Sequence, residues 1–373
     1  MLNWEIPYLT PDLPGIGGKL RVEIDDFVVE EVPAYDPCGE GEHTFFGVEK
    51  RDISTLVLIK QIAQALEVSE REISSAGLKD ARAVARQTLS VQWVPPEKIL
   101  ALTLDKARIL WAKRHTNKLR SGHLRGNRFT LRIRDVGPDA GTRAAAIVEQ
   151  LLARGVPNGY GRQRFGNRGN NHEMGLLLLR NDRATLRTHG IHHLSYKMRQ
   201  FLVSALQSAL FNTVLAARIE RGLLDDVLPG DIARKEDTGG IFVVEDVEAE
   251  RPRARAWEIS ATGPIYGYKM LAAQAEAGAL EATILEEAGI ALADFRPFKA
   301  KGSRRPLRYY PEGLSWQMEG SDVLTLSFFA PKGAYATLLL RELMKTEVLL
   351  EEEGAEDSGA TEDSGASDTE SQT

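Results

Sequence analysis

The sequence predicts an α+β fold with at least one mainly antiparallel β-sheet. Several segments alternate apolar and polar residues with a period of two, as half-buried strands do. Several longer segments place apolar residues at helical spacing behind a residue that can cap a helix. The strand-like and helix-like segments do not alternate regularly along the chain, which argues against a parallel βαβ architecture and favours separate helical and sheet regions.

The strand-like segments lie towards both ends of the chain. Residues 20–25 alternate apolar and polar side chains, and residues 27–29 extend that pattern. Residues 84–94 are typical of a strand and stop at two prolines. Residues 129–134 alternate cleanly, and residues 323–329 predict one further strand.

Four segments have the spacing and the end signals of helices. Ser54 can act as the N-cap of the first helix, and Gly222 can follow the third helix as its C′ residue. The predicted helices span residues 54–67, 141–154, 195–221 and 333–346.

The order of these segments indicates that one domain is inserted into another. Residues 157–171 (PNGYGRQRFGNRGNN) consist largely of turn formers, and long helical stretches follow them. Strand character returns only near residue 323. We therefore predict a discontinuous body made of residues 1–157 and 305–346, interrupted by an inserted domain of residues 158–304.

The composition is that of an ordinary globular protein. Of the 373 residues, 43% are hydrophobic and 27% are charged. No apolar run approaches the roughly 18 residues that span a membrane, and the N-terminal MLNWEIPYLTPDLPG lacks the basic and apolar parts of a signal peptide. Cys38 is the only cysteine, which excludes an intramolecular disulfide and a cysteine-based zinc site. These features predict a cytoplasmic protein without a structural metal and without a membrane span.

The net charge of −6 comes from an acidic tail. Residues 351–373 contain nine Asp or Glu and no Lys or Arg, and EDSGA occurs twice, at 356–360 and 362–366. The rest of the chain carries 47 basic and 44 acidic residues, a net charge of +3. We predict a disordered acidic tail over residues 347–373. The alternative is an autoinhibitory mimic of a polyanion that competes for a basic cleft.

Three stretches of the body are basic and contain no acid: residues 111–134, 154–168 and 299–308. They combine cations with glycine, asparagine or aromatic residues, which suits a phosphate backbone and stacked bases. A single basic run is usually a solvated face, but three on a nearly neutral body favour a nucleic-acid partner. Arg132 and Arg134 share one face of a predicted strand, where they either line a groove or protect an edge.

Most motif-like sequences in this chain are incomplete. PGIGGK at 14–19 lacks the Ser or Thr that a phosphate loop needs after its lysine. His189, His192 and His193 cluster before a predicted helix but lack an evident carboxylate partner for a metal site. We therefore expect no metal ligands from these segments.

Residues 76–90 (AGLKDARAVARQTLS) contain the strongest candidate for chemistry. Gly77 predicts a turn, a strand is predicted from Val84, and Lys79-Asp80 lie between them. An aspartate at the mouth of a turn is placed for nucleophilic or acid–base work, and a neighbouring lysine favours its ionised form. Because isolated Lys-Asp pairs are common and mostly structural, the pattern alone leaves both interpretations open.

Several motifs follow one another in a specific order. They are DDFVVEEVP at 25–33, GEGEH at 39–43, GLKDARAVARQTLS at 77–90, RGNRFTL at 125–131, VPNGYGRQRFG at 156–166, SALFN at 208–212 and APKGAYATLLLREL at 330–343. Each is modest alone, but together they cover nearly the whole chain to about residue 346. In this combination they resemble the TruD family of tRNA pseudouridine synthases.

The resemblance implies an isomerase, an intramolecular transferase that converts uridine to pseudouridine without a cofactor. It implies position 13 of certain tRNAs as the target, tRNA as the partner, and no metal, membrane or obligatory protein partner. It also implies a catalytic α+β domain, built on a mixed or antiparallel sheet, with an inserted α+β TRUD domain. The catalytic aspartate either attacks C1′ of the nucleotide or removes a proton from C2′ to give a glycal, and both routes stay open.

The resemblance also assigns roles to individual residues. Asp80 matches the catalytic aspartate, and Lys79 matches the lysine before it, in catalytic support. The residues expected to bind the flipped-out uridine or the RNA are Phe27, Asn127, Phe129, Arg164, Phe165 and Phe328. Core packing is the alternative for Phe129 and Phe328, which lie on apolar strand faces, and the RFG loop of Arg164 and Phe165 either borders the cleft or closes the domain junction.

Two other functions are kept as alternatives. A non-catalytic tRNA-binding or RNA-chaperone protein on the same scaffold would tolerate the loss of Asp80. A globular α+β protein whose basic stretches bind nothing would show no salt-dependent affinity for RNA. The order of the motifs favours the isomerase over both.

Overall fold

The structure, a computed structural model, describes residues 3–166 and 168–346. The predicted acidic tail, residues 347–373, lies outside the described residues. In chain order the strands are β1 (Gly17–Lys19), β2 (Phe27–Pro33), β3 (His43–Arg51), β4 (Ser74–Ser75), β5 (Val84–Gln92), β6 (Ala107–His115), β7 (Leu124–Val136), β8 (Val156–Pro157), β9 (Ile232–Lys235), β10 (Ile241–Val243), β11 (Ile259–Ile265), β12 (Ser303–Pro306), β13 (Arg308–Tyr309), β14 (Glu312–Glu319) and β15 (Val323–Pro331).

Helices occur in both parts of the chain. In chain order they are α1 (Thr55–Leu66), α2 (Pro96–Leu100), α3 (Ala140–Arg154), α4 (Asn171–Leu179), α5 (Arg183–Thr188), α6 (Tyr196–Glu220), α7 (Val247–Arg255), α8 (Ala275–Glu287) and α9 (Ala336–Met344). Short 3₁₀ segments span Ile24–Asp26, Glu70–Glu72, Arg162–Phe165 and Leu292–Phe298.

A mixed sheet, nine-stranded within the described residues, forms the centre of the body. Its main strands follow the order β14-β15-β7-β2-β5-β3-β6, while β1 also pairs with β7 and β4 with β5. Strands β2 and β5 run parallel, and all other neighbours in this sheet run antiparallel. This arrangement confirms the predicted α+β class with a mainly antiparallel sheet.

Most of the predicted elements are present. Strands β5, β7 and β15 correspond to the three strands predicted after residue 80, and α1, α3, α6 and α9 correspond to the four predicted helices. Helix α1 begins after Ser54, whose hydroxyl accepts a hydrogen bond from the amide of Val57 at 3.1 Å. Helix α6 is followed by Gly222 in the left-handed region, with φ of 70°. The end signals in the sequence are therefore sufficient to locate these helices.

The strand predicted at residues 20–25 is wrong. Ile24–Asp26 forms a single 3₁₀ turn, and β2 begins only at Phe27. Arg21 has a φ of 56°, in the left-handed region that interrupts a strand. The buried Asp26 carboxylate also accepts a backbone hydrogen bond across the turn, at 2.7 Å. Apolar alternation is a local signal, and it predicts neither the left-handed backbone of Arg21 nor the hydrogen bond that Asp26 accepts across the turn.

One face of the large sheet is covered by helices. Phe129, Leu131 and Ile133 of β7 point to this face, as their spacing predicts, and each is at most 8% exposed. They belong to one apolar cluster with residues of β15, α3 and α9. Helix α1 covers the same face further along, over β3 and β5. We call this side the helix-covered face and the other side the charged face.

A smaller sheet lies in the predicted insertion. Its strand order is β10-β9-β11-β12, and helix α6 packs against β11. Strand β13, which directly follows this sheet in the chain, pairs with β8, so the two chain crossings between body and insertion lie side by side. The apolar cluster of the body continues into the insertion through Phe211 and Leu215 of α6. The boundaries at 158 and 304 stay a prediction.

Helix α6 corrects one expectation from composition. It has 25 residues and a segment of mean hydropathy 1.4, so by length and composition it is long and apolar enough to cross a membrane. In the structure, 78% of that segment is buried inside the protein. Leu206, Leu210 and Val214 of this helix pack in an apolar cluster with residues of α8 and its surroundings. The apolar run is therefore accounted for by the core of the fold.

Candidate active site

Asp80 lies in the loop between β4 and β5, at the turn that the sequence predicts. A tight turn, in which the amide of Ala83 donates to the carbonyl of Ala81 at 2.8 Å, leads from this loop into β5. The Asp80 side chain is 44% exposed. Its carboxylate is therefore open to a reactant on one side while the chain on either side is ordered.

The cation that contacts Asp80 is Arg21. Its Nη2 donates a hydrogen bond to Oδ2 of Asp80 at 2.9 Å. Arg21 is only 5% exposed, and its guanidinium lies 3.9 Å from the centre of the Phe27 ring. The ring and the surrounding protein fix the guanidinium, and the guanidinium in turn orients the carboxylate through a charge-assisted hydrogen bond.

The backbone of the Asp80 loop is fixed by β3 and α1. Nζ of Lys50, a fully buried residue, donates hydrogen bonds to the carbonyl of Asp80 and, at 2.6 Å, to that of Ile53. Oγ1 of Thr55 accepts the amide N–H of Lys79 at 2.9 Å. Because both contacts come from regular elements, the loop inherits their rigidity, which precise chemistry requires.

Lys79 points into the protein and not toward the Asp80 carboxylate. Its Nζ forms an ion pair with Oε2 of Glu31 at 2.6 Å, and both side chains are at most 6% exposed. Oε1 of Glu31 also accepts the amide N–H of Thr88 at 3.1 Å. The structure therefore shows Lys79 paired with Glu31, and its predicted role in catalytic support stays a prediction. Arg21 contacts the Asp80 carboxylate, and Lys79 anchors the loop.

Three predicted pocket residues form an aromatic stack on the helix-covered face. Phe129 stacks on Phe328 with ring centroids 5.2 Å apart and meets Phe27 edge to face at 6.2 Å. Each of the three residues is at most 8% exposed. The rings therefore pack in the core in this structure, and Phe27 links the stack to Asp80 through the Arg21 guanidinium.

Asn127 lies beside the buried ion pair. On β7 it stands directly opposite Glu31 of β2 and Ala330 of β15. Its Oδ1 is buried and has no hydrogen-bond partner among the described residues. An unpaired buried acceptor carries a desolvation cost of about 1–3 kcal/mol, which the N–H group of a ligand would offset. The structure thus brings this predicted residue next to the anchor of the Asp80 loop.

Arg164 and Phe165 lie in another part of the molecule. Arg164 donates hydrogen bonds to the hydroxyls of Ser204 and Ser208 on α6, at 2.7 and 3.2 Å. Phe165 is fully buried, and its ring stacks on Trp4 with centroids 4.3 Å apart. No direct contact among the described residues joins either side chain to the Asp80 loop. Their role in RNA binding stays a prediction.

Part of the charge in the three basic stretches is neutralised inside the protein. The paired cations are Arg132 with Glu319, Arg134 with Asp26, Arg154 with Asp225 and Arg304 with Glu281. Arg120, Arg125 and Arg128 are exposed and have no ion-pair partner among the described residues. A count of charges along the sequence overstates what is available to a polyanion, because it does not show acids that arrive from distant segments.

Four residues that position Asp80 or its loop are missed by reasoning from the sequence: Arg21, Glu31, Lys50 and Thr55. Glu31 lies in the same alternation phase as Phe27 and Val29, so a carboxylate on an apolar strand face is a detectable signal of a buried partner. Arg21 gives no such signal. It lies outside any regular element and reaches Asp80 across 59 positions of sequence.

The arrangement offers carboxylate chemistry. Within residues 3–166 and 168–346, no group of three His, Cys, Asp or Glu side chains is placed to hold a metal ion. The site combines a half-exposed carboxylate, a buried guanidinium bonded to it, and an unpaired amide oxygen beside the anchor of its loop. Such a carboxylate can act as a nucleophile at an electrophilic carbon or as a base.

The comparisons with known proteins agree on one family. A family model described as tRNA pseudouridine synthase D (TruD) matches residues 3–188 and 183–343. The chain is 46% identical to a tRNA pseudouridine synthase D of Thermus thermophilus, over 92% of this chain and 93% of that protein. It is 40% identical to that of Geobacter metallireducens, over 92% and 99%. A crystal structure of a TruD protein from Methanosarcina mazei matches with a TM-score of 0.74 at 26% identity, covering 92% of this chain and 97% of that one. The chain therefore belongs to the TruD family.

Proposed function

We propose that this chain isomerises a uridine of tRNA to pseudouridine, with Asp80 as the catalytic residue. The placement of Asp80 supports this most directly, because its 44% exposed carboxylate is oriented by Arg21 on a loop that Lys50 fixes. A carboxylate that is open to substrate yet fixed in position suits nucleophilic or acid–base work. The target proposed from family membership is position 13 of certain tRNAs.

The proposed reaction moves the sugar from N1 to C5 of uracil without net gain or loss of atoms. The N1–C1′ bond breaks, the base turns, C5 bonds to C1′, C5 loses a proton and N1 gains one. Asp80 serves this reaction either by attacking C1′ as the N1–C1′ bond breaks or by removing the C2′ proton to form a glycal. In both routes Arg21 holds the carboxylate at the sugar.

The uracil ring needs partners while it is detached from the sugar. We assign the unpaired Oδ1 of Asn127 to an N–H group of the base. A uridine in folded RNA reaches such a site only after it leaves its stack. Because Phe27, Phe129 and Phe328 are closed over one another here, base binding requires the edge of this aromatic stack to open.

The proposed partner is tRNA, and the proposed compartment is the cytoplasm, where tRNA is present. The exposed cations Arg120, Arg125 and Arg128 are the groups proposed to contact its phosphates. Binding through phosphate contacts releases counterions and therefore weakens as salt rises.

The test is the variant Asp80→Asn, incubated with unmodified total tRNA and followed by carbodiimide mapping of pseudouridine. We expect the wild type to give one new stop at position 13 and the variant to lose about 10³-fold or more of the rate, because the charged catalytic oxygen is gone. Asp105→Asn, which changes an exposed carboxylate outside the site, is the matched control and is expected to react like the wild type.

The possible results distinguish the alternatives. Equal product from Asp80→Asn removes this residue from the mechanism. Tight, salt-dependent tRNA binding without pseudouridine from the wild type supports the non-catalytic tRNA-binding or RNA-chaperone function. A new stop at another position keeps the isomerase and replaces its target.

A further inference from the structure

A cavity of about 600 Å³ lies where the insertion meets the body, and the proposed chemistry at Asp80 does not use it. Residues of β7, β13 and β15 form one side of its wall, and residues of β9 and β12 form the other. We call it the junction cavity. The residues that matter for its use are Arg125, Arg234, Arg305, Tyr309, Tyr310 and Lys332. Its volume is in the range of small-ligand sites, about 300–1,000 Å³.

The junction cavity has an excess of positive charge. Five of its lining residues are Arg or Lys, and two are Glu. Arg125 is exposed, and its guanidinium has no partner among the described residues. Lys332 donates one hydrogen bond, to the carbonyl of Gly122 at 2.9 Å, which leaves two of its three donors available. Two such cations at the mouth of a cavity favour a phosphate as the ligand.

The inner wall of the junction cavity is held in place across the domain junction. Arg305 donates from Nε to the carbonyl of Asn158 at 2.9 Å and from Nη2 to the carbonyl of Gly333 at 2.7 Å. Asn158 in turn donates to the carbonyl of Pro306 at 2.9 Å. These contacts join the end of β12 to Asn158, across the predicted domain boundaries, and to Gly333 of the body, so this wall is fixed before any ligand binds.

Two residues that line the cavity each have a donor that is closed off from solvent and lacks an acceptor. Tyr309 is 4% exposed, and neither its hydroxyl nor Nε of Arg234 has a hydrogen-bond partner among the described residues. Burial raises the pKa of the Tyr309 hydroxyl, so this group keeps its proton and remains a donor. An unmade hydrogen bond inside a protein is costly, and an oxygen atom of a ligand would remove that cost.

The rim of the junction cavity offers a ring and a link to the Asp80 loop. Tyr310 is 46% exposed and is supported by Trp257 at a centroid distance of 5.2 Å, so it can stack on a base. Gly122, which Lys332 contacts, donates its amide N–H to the carbonyl of Ala76 at 2.7 Å. Ala76 lies four residues before Asp80, so two hydrogen bonds connect the rim to the catalytic loop.

We propose that the junction cavity binds one nucleotide of the RNA strand that carries the target uridine. Arg125 and Lys332 contact its phosphate, and Tyr310 stacks on its base. The Tyr309 hydroxyl and Nε of Arg234 donate to its remaining oxygens. This inference rests on the proposed function, because it takes RNA as the ligand. A free mononucleotide has the same phosphate and base, and the experiments below separate the two sources.

The first experiment removes only the buried oxygen. Tyr309→Phe and the wild type are compared in the full chain carrying Asp80→Asn, with an unmodified tRNA transcript as the probe in filter binding. We expect the Kd of Tyr309→Phe to rise by up to about tenfold, the effect of one lost hydrogen bond. Its Tm stays equal or rises, because the free protein loses an unpaired hydroxyl. An unchanged Kd overturns the proposal.

Tyr266→Phe is the matched control for this change. The Tyr266 hydroxyl is also buried, but it donates to the carbonyl of Glu281 at 2.8 Å and lies outside the junction cavity. Its removal is expected to lower the Tm and to leave the Kd for tRNA unchanged. Tyr309→Phe is therefore expected to weaken tRNA binding without lowering the Tm, and Tyr266→Phe is expected to lower the Tm without weakening tRNA binding. This contrast distinguishes the loss of a ligand contact from a loss of stability.

The second experiment removes one charge. Arg125→Gln is expected to reduce the slope of log Kobs against log salt by about 0.7–0.9, as for one lost phosphate contact. Lys60→Gln removes the same charge from an exposed position on α1 and is expected to keep the wild-type slope. Equal slopes in the two variants overturn the proposed phosphate contact, since Arg125 would then act only through net charge.

Two further comparisons show whether the ligand is a free nucleotide or RNA, and whether a negative result contradicts this inference or the proposed function. If uridine monophosphate binds the wild type and Tyr309→Phe weakens only that binding, the site takes a free nucleotide and the RNA proposal is overturned. The proposed function is tested separately, by measuring pseudouridine formation with the protein in which Asp80 is unchanged. If that product forms while Tyr309→Phe and Arg125→Gln bind tRNA as the wild type does, the inference fails and the proposed function stands.

Discussion

The two faces of the large sheet both carry ion pairs, but in opposite environments. On the helix-covered face, Lys79 and Glu31 form a pair in which both side chains are at most 6% exposed. On the charged face, side chains of alternating sign cross neighbouring strands in one row. We call this row the charge ladder; it consists of Glu30 on β2, Arg86 on β5, Glu49 on β3 and Arg108 on β6.

The ladder differs from the buried pair in its access to water. The Arg86 and Arg108 side chains are 43% and 68% exposed, so water and salt screen their interactions with the carboxylates. The pair of Lys79 and Glu31 has lost its hydration, and each charge depends on the other and on the hydrogen bond from Thr88. The buried pair is therefore more sensitive than the charge ladder to the loss of one partner. Because Lys79 directly precedes Asp80, this sensitive pair lies at the proposed catalytic loop.

The largest effect that this comparison predicts comes from Glu31→Gln. The substitution leaves the Lys79 ammonium buried without its counter-charge, so we expect the free energy of unfolding to fall by about 3–5 kcal/mol. Urea unfolding followed by circular dichroism measures this loss. The Asp80 loop loses one of its anchors at the same time, while Lys50 and Thr55 still hold it, so pseudouridine formation is expected to fall at temperatures where the variant is still folded.

The neighbouring residue supplies the control for this prediction. Glu30→Gln removes the same charge from the same strand, but on the charged face, where its partner Arg86 stays solvated. We expect it to cost about 1 kcal/mol or less. Equal losses in Glu31→Gln and Glu30→Gln would contradict the distinction between the two faces.

The next effect in size is on turnover, from Arg21→Gln. Arg21 fixes the Asp80 carboxylate through one hydrogen bond at 2.9 Å, and its loss lets the carboxylate turn away from the substrate. Misplacement of a catalytic group costs about 10²-fold in rate, measured as pseudouridine formed under saturating tRNA. Arg21→Lys keeps the positive charge and is expected to recover part of the rate, which a purely structural role would not predict.

Arg108→Gln is the matched control for Arg21→Gln. It also removes a guanidinium bonded to a carboxylate, but Arg108 lies at the exposed end of the charge ladder. We expect it to retain the wild-type rate. A similar loss of rate in both variants would show that turnover follows total charge and not the orientation of Asp80.

The sequence predicts the position of Asp80 but not the directions of the side chains around it. Gly77 and the strand pattern from Val84 predict the loop that contains Asp80, and the burial of Phe129 follows from strand alternation. Lys79 is next to Asp80 in sequence, yet its ammonium lies on Glu31, while the Asp80 carboxylate lies on Arg21. Adjacency in sequence is therefore a poor guide to ionic contact in a loop of this kind.

The remaining site contacts depend on long-range packing. Arg21 reaches Asp80 from a segment with left-handed backbone, which no periodic pattern identifies. Arg134 pairs with the distant Asp26 although Asp135 directly follows it in the sequence, and Arg304 pairs with Glu281, 23 positions away. Local patterns identify which face of a strand is apolar, but they do not identify which distant residue pairs with a given charge.

The smallest predicted effect is the acid dependence of the charge ladder, measured with Glu49→Gln. Burial by itself would raise the pKa of Glu49, but hydrogen bonds from Arg108 and Arg86 outweigh it and hold that pKa below its ordinary value of 4.5. Because folding lowers this pKa, the charged carboxylate stabilises the fold above pH 4.5, and this contribution is lost as the pH falls through the folded value.

Urea unfolding of the wild type and Glu49→Gln at several pH values tests this sign. We expect a difference of about 1 kcal/mol or less near neutral pH, because both arginine partners are exposed. The difference should shrink as the pH falls below about 4.5 and also when salt is added at neutral pH. A large difference in the free energy of unfolding that salt does not reduce would mean that Glu49 depends on its partners as strongly as Glu31 does. The ion pairs on the two faces of the sheet would then differ in exposure but not in their contribution to stability.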